Sequence, residues 1–196
     1  VARVVARSVR RERDKPMAEC QVALLRGINV GKAKRVAMAD LRKLFSDLGY
    51  GDVRTVLNSG NVVFTAAKQR DGGDGARIEK ALADWLGVTA RVTVLTGKEL
   101  AAAVRENPLS VAADNPSRLL LMVLRDPTTV ARVKPLLKAD WAPEALALRR
   151  RIAYLWCPGG IVDSPVWAAV NRAGSDAVTG RNIATMTKLL ALVEDS

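Results

Sequence analysis

The chain predicts an α+β fold of two tandem ferredoxin-like halves, each with a mainly antiparallel sheet under helices, and a helix at the C-terminus. Three observations carry that expectation. Short β-rich runs alternate with helical periodicity in the order βαββαβ, and the same order returns after a polar joint at residues 107–117. At 49 % hydrophobic and 26 % charged over 196 residues, the composition supplies a packed core. The repeat lies in element order, not in letters.

In the first half, Cys20 to Gly27 is a short apolar run, too short for a helix, and reads as a buried strand. Leu41, Leu44, Phe45 and Leu48 recur at helical spacing ahead of Gly49, so Met38 to Leu48 is an amphipathic helix closed by a left-handed glycine. Val53 to Leu57 and Asn61 to Thr65 are β-rich and flank Asn58-Ser59-Gly60, a hairpin signature. Ala66 to Gly75 reads as loop, and Ile78, Leu82, Trp85 and Leu86 as a helix ending at Gly87. Arg91 to Leu95 alternates as a strand, and Lys98 to Glu106 is a short helix stopped at Asn107-Pro108.

In the second half, Arg118 to Leu124 is a strand, and Asp126-Pro127 opens a helix through Leu137 that Pro135 should shorten or kink. Ala145 to Leu148 and Ile152 to Cys157 form a strand pair around Arg149-Arg150-Arg151, read as a solvated turn. Asp163-Ser164-Pro165 caps a helix closed by Gly174. A short strand near Ala177 to Thr179 and a last helix, Asn182 to Val193, complete the chain. The expected divisions are a basic tail at 1–16, a first half at 17–107 and a second half at 118–196.

Counts exclude several chemistries. There is no histidine, which removes imidazole acid–base work, His-activated nucleophiles and the His-containing zinc sets. Cys20 and Cys157 are too few for a disulfide framework and read as buried reduced thiols, so a cytoplasmic location is expected. The longest apolar run, Leu119 to Leu124, is far below the roughly 18 residues of a membrane span. No spacing of carboxylates suggests a metal pair, and neither metal nor cofactor is expected. Residues 1–16 carry a net +4 and are expected to extend ahead of a start at Met17, a nucleic-acid-contacting arm being the alternative. The remaining +7 favours anionic partners, small molecule or nucleic acid.

Three motifs stand out. Arg26-Gly27-Ile28-Asn29-Val30-Gly31-Lys32, with Lys34 and Arg35 behind it, leads from strand to helix. A P-loop needs four residues between its glycines and Ser or Thr after the lysine; here three intervene and Ala33 follows, so NTP hydrolysis by that mechanism is not expected. What remains is a cationic turn with exposed amides that suits an anion, or a solvated loop that needs glycine dihedrals. Asn58-Ser59-Gly60-Asn61 offers polar groups at a hairpin tip but also satisfies plain turn chemistry. Thr179-Gly180-Arg181-Asn182 sets an arginine at a helix start, an anion site or simple capping.

Together the strings ALLRGINVGKAKRVAMADLRKLF, DVRTVLNSGNVVF and TGRN…TMTKLLAL resemble the bacterial domain-of-unknown-function family 1697, from about Gln21 to Leu192. The resemblance implies a small cytoplasmic protein of two ferredoxin-like halves with no assigned activity. Its segments fall here on Arg26, Gly27, Asn29 and Gly31, on Ser59, Gly60 and Asn61, and on Thr179, Arg181 and Asn182. One departure is visible: Arg-Asn-Trp-Asn-Thr is common in the family, whereas Ile183 and Ala184 replace the Trp and second Asn here. With Lys32 and Arg35, these are the candidate ligand-binding residues. Three functions stay open: a binding module for an anionic ligand, nucleotide or nucleic-acid phosphate; an enzyme on a small anionic substrate using Lys32 or Asp163 as proton carrier; or a homo-oligomeric interaction module.

Overall fold

The computed structural model describes residues 18–29, 35–67, 73–110 and 115–195. The basic tail and the candidates Gly31 and Lys32 lie outside the described residues. The first half comprises β1 (Ala18–Arg26), α1 (Met38–Asp47), β2 (Gly51–Val56), β3 (Asn61–Ala67), α2 (Asp74–Leu86), β4 (Arg91–Thr96) and α3 (Gly97–Arg105). The second comprises β5 (Leu119–Leu124), α4 (Pro127–Val133), β6 (Ala145–Arg149), β7 (Ile152–Trp156), α5 (Pro165–Gly174), β8 (Val178–Asn182) and α6 (Ile183–Glu194). Each half forms a four-stranded antiparallel sheet, ordered β2-β3-β1-β4 and β6-β7-β5-β8. The α+β fold of two ferredoxin-like halves is therefore observed.

Local chemistry explains the boundaries. Ser164, Asp126 and Asn182 cap α5, α4 and α6 by accepting from the third backbone N–H beyond them, and Thr96 with Glu99 forms a reciprocal capping box on α3. Pro135 takes effect as expected: α4 ends at Val133, and Lys134–Lys138 tightens to a 3₁₀ turn.

Four expectations need correction. Ala66 and Ala67 continue β3, while Asp74 and Gly75 already belong to α2, so the expected loop is shorter at both ends. The hairpin turn begins at Leu57, which adopts a left-handed φ of 58°. The last strand runs to Asn182, because pairing with β5 continues from Val178 through Asn182. Arg181 is thus the next-to-last residue of that strand, directly before the Asn182 cap of the last helix. Arg151 is only partly solvated and is tied down: its guanidinium donates to Glu99 Oε1 and to the Val94 carbonyl, 2.9 and 2.8 Å away.

Three cores stack through the molecule. One lies between the first sheet and α1 with α2, around Phe45, Phe64 and Ile78. Another lies between the second sheet and α4 with α5, around Leu155, Val166 and Val170. The third is shared: Val22, Leu24 and Val63 meet Leu121, Tyr154 and Trp156 through α3 and α6. Strand alternation produces this arrangement, since each sheet buries one face under its own helices and the other against its partner half. Cys157 is buried and accepts from Ser164 Oγ at 3.3 Å, and neither cysteine forms a disulfide. None of the described helices is long and apolar enough to cross a membrane.

Candidate functional site

A cleft of about 640 Å³ opens where the halves meet beside β8. From the second half, Leu120 and Met122 lie on the β5 face that carries α4 and α5, and the register sets Gly180 opposite Met122. A side chain at Gly180 would collide with the Met122 thioether, so glycine keeps this surface open. Trp167 and Asn171, four residues apart on one face of α5, line the same space. The first half contributes Leu25 to Asn29 at the end of β1 and Leu57 to Ser59 at the hairpin tip.

Arg181 is half-buried and nearly saturated. Its Nε donates to Asn61 Oδ1 at 2.5 Å, its Nη2 to the carbonyls of Leu25 and Ser59 at 2.7 and 2.8 Å, and its Nη1 to the Gly180 carbonyl at 2.8 Å. Asn61 is fully buried and turns its own amide to the Val56 carbonyl and Ser59 Oγ, 2.9 and 3.0 Å away. These bonds clasp the hairpin tip of one half onto β8 of the other. No ion pair with a carboxylate involves Arg181 among the described residues, and burial pushes its pKa down to about 10.

Arg26 is less committed. Its Nη1 donates to the carbonyls of Ser175, at 2.6 Å, and Val178. Among the described residues its Nε and Nη2 have no acceptor, and no carboxylate forms an ion pair with it.

The other candidates hold the cleft in shape. Asn29, at φ 55°, accepts from the Val36 N–H at 2.7 Å and donates to the carbonyls of Val36 and Asn58 at 3.0 and 2.9 Å, which ties the first loop to the hairpin tip. Gly60, at φ 75°, accepts from the Leu25 N–H at 2.8 Å, and a Cβ there would stand 2.7 Å from Ile28 and 2.8 Å from Leu25. Thr179 lies buried with its hydroxyl 3.2 Å from that of Thr93. Asn182 caps α6 through the Thr185 N–H, and Arg35 is exposed and outside the lining. The structure therefore gathers Arg26, Gly27, Asn29, Ser59, Thr179 and Arg181 around the cleft, with Gly60 and Asn61 packed behind the tip. Sequence reasoning missed Leu57, Ile161, Trp167 and Asn171; the i, i+4 spacing of the last two was the one available signal.

A second cleft, about 490 Å³, occupies the corresponding place beside β4. The registers superpose the halves through the helix caps Thr96 and Asn182, which pairs Arg26 with Arg125, Thr93 with Thr179, Val94 with Gly180 and Leu95 with Arg181. There the arginines are neutralised: Arg125 pairs with Glu79 and Arg151 with Glu99, each at 2.9 Å. Among the described residues no group of three His, Cys, Asp or Glu is placed to hold a metal.

The family model for proteins of unknown function, DUF1697, matches residues 18–154. The chain belongs to the DUF1697 family. The matched span of this DUF1697 protein includes the Arg26 loop and the hairpin tip and stops ahead of α5 and β8. The chain is also similar, at 22 % identity, to a solved structure, that of the conserved bacterial protein SP0830 from Streptococcus pneumoniae. The likeness covers 90 % of this chain and 99 % of that one with a TM-score of 0.67, and it shows the shared fold. No curated protein matches the chain.

Proposed function

We propose that this DUF1697 protein binds a small anionic ligand in the cleft between its halves. One observation carries the reading: the described lining holds two guanidinium groups and no carboxylate, whereas the matching cleft beside β4 neutralises its arginines internally. A cation in a concave, partly apolar site is strengthened by reduced solvent screening and attracts a compensating anion. Arg26 is the anchor, because among the described residues its Nε and Nη2 meet no acceptor and form a fork that matches phosphate or carboxylate oxygens. Arg181 sets the shape and adds positive potential. The described lining holds no Asp, Glu, Lys, Tyr or Cys to carry a proton, which favours binding over acid–base catalysis.

The test is a thermal-shift and calorimetric screen of the full chain against phosphate esters and carboxylates at low and high salt. A ligand at about 100 times its Kd stabilises by about 2.7 kcal/mol. The expected result is a saturable shift that weakens with salt, is reduced about tenfold or more in affinity by Arg26→Gln, and is unchanged by Arg125→Gln at the sister cleft. Equal losses in the two variants would assign the binding to the basic surface at large.

A further inference from the structure

The apolar and amide groups of the cleft are as specific as its charge. Leu57 is 53 % exposed and holds a left-handed backbone, a conformation that costs a non-glycine residue about 1 kcal/mol or more. It therefore presents a large apolar side chain to solvent at the cleft mouth on strained backbone. Trp167 lines the same cleft from the other half, and among the described residues its indole N–H meets no acceptor. The Asn58 side chain and Asn171 Oδ1 also have no partner there, since Asn171 uses only its Nδ2, on the Trp167 carbonyl at 3.0 Å. A bare inorganic anion would use none of these groups. Its charge would be met at Arg26, and the indole, the exposed leucine and the amides would stay wet.

We propose that the ligand is a phosphomonoester carrying a flat, hydrogen-bonding ring, with the phosphate on Arg26 and the ring against Trp167 and Leu57: the chemistry of a nucleoside monophosphate. This rests on the anion-binding reading above and narrows it. A ring face stacks on indole without demanding one base, and the two amides meet its polar edge. A cleft of about 640 Å³ admits such a molecule whole, within the usual span of about 300–1,000 Å³ for small-ligand sites.

The test titrates the full chain calorimetrically with inorganic phosphate, ribose 5-phosphate, and adenosine and guanosine monophosphates. The expected order places the nucleotides about tenfold or more tighter than ribose 5-phosphate. Trp167→Ala should bring the nucleotides down to the ribose 5-phosphate level while leaving ribose 5-phosphate itself unchanged. Because Trp167 also packs on the outer core of the second half, Leu57→Asn provides an independent variant: it suits the left-handed backbone and should cut the nucleotide preference about threefold. Nucleotides and ribose 5-phosphate binding equally, or neither variant altering the preference, would overturn the ring assignment and leave the anion site standing. No binding by any of these phosphates, with a carboxylate still binding in the screen above, would overturn the phosphomonoester and leave the anion site standing; no binding by either class would overturn both.

Discussion

The two clefts are built on the same scaffold and differ in how their charge is satisfied. Beside β4, Val94 fills the position that Gly180 leaves open beside β8, and buried Leu95 stands where Arg181 stands. The loops diverge as well. After β5 the chain turns at once into α4 through Asp126, whereas eleven residues separate β1 from α1. The β6–β7 hairpin closes through two residues with Arg150 at φ 51°, and the β2–β3 hairpin spends four, Leu57 to Gly60. The longer hairpin turn of the first half lines one cleft, and a glycine in the second half's edge strand keeps it open. Glu79 and Glu99 close the electrostatics of the other. A pseudo-symmetric frame thus yields one structural seam and one candidate site, and unpaired charge tells them apart.

That contrast can be broken at several points. The largest effect is expected at Arg181→Ala, which strands the Leu25 and Ser59 carbonyls and the Asn61 amide oxygen and should lower the unfolding free energy by about 2–4 kcal/mol. Arg151→Ala removes the sister clasp from a wetter site and should lose only about 1 kcal/mol. Urea unfolding of both variants decides it, and equal losses would mean the two seams are equivalent. Gly60→Ala comes next, at about 2 kcal/mol, because it combines positive φ with contact against Ile28 and Leu25. Gly27→Ala shares the positive φ but meets open space, so about 1 kcal/mol is expected in the same assay. Tyr154→Phe deletes the hydrogen bond from its hydroxyl to the Ala103 carbonyl, 2.9 Å, which links the halves through the shared core; about 1 kcal/mol is expected.

Titration provides a milder probe. Burial raises the phenols of Tyr50 and Tyr154 and the thiol of Cys157, with the Asp74 hydrogen bond adding to Tyr50. Raised folded values mean that their stabilisation is complete below the ordinary thiol and phenol values of 9.0 and 10.0 and is lost as pH climbs through the raised ones. The melting temperature should therefore fall steadily from about pH 9 upward. At the acid end, the hydrogen bond from Arg91 lowers Asp176 and the Thr129 backbone N–H lowers Asp126. Their stabilisation is present above the ordinary value of 3.8 and fades as pH falls through the lowered ones. The smallest effect belongs to Arg91→Ala. Its pair with Asp176 bridges the halves at an exposed rim, so a change barely above the scatter of a melting curve is expected, and only at low salt.

Much of this architecture is legible along the chain, since caps, periodicity and turn residues act over a few positions. Asp126, Ser164, Pro135 and Gly49 mark boundaries through hydrogen bonds and dihedrals that their immediate neighbours complete. The family strings also direct attention to the loop and hairpin whose residues line the cleft. The roles within them are a different matter. Arg181 reads as a free cation at a helix start because its acceptors, Asn61 and the Leu25 carbonyl, lie 120 and 156 residues away in sequence. Arg151 reads as a solvated turn residue for the same reason, with Glu99 52 residues distant. Trp167 and Leu57 look like ordinary core and strand letters until the halves come together. By itself the sequence determined the element order, the caps and the surplus of positive charge. Tertiary structure alone decided that Arg181 is consumed at the cleft while Arg26 keeps donors with no acceptor among the described residues, because a guanidinium's donors are satisfied by whatever carbonyls folding brings within 3 Å, and no local pattern encodes that meeting.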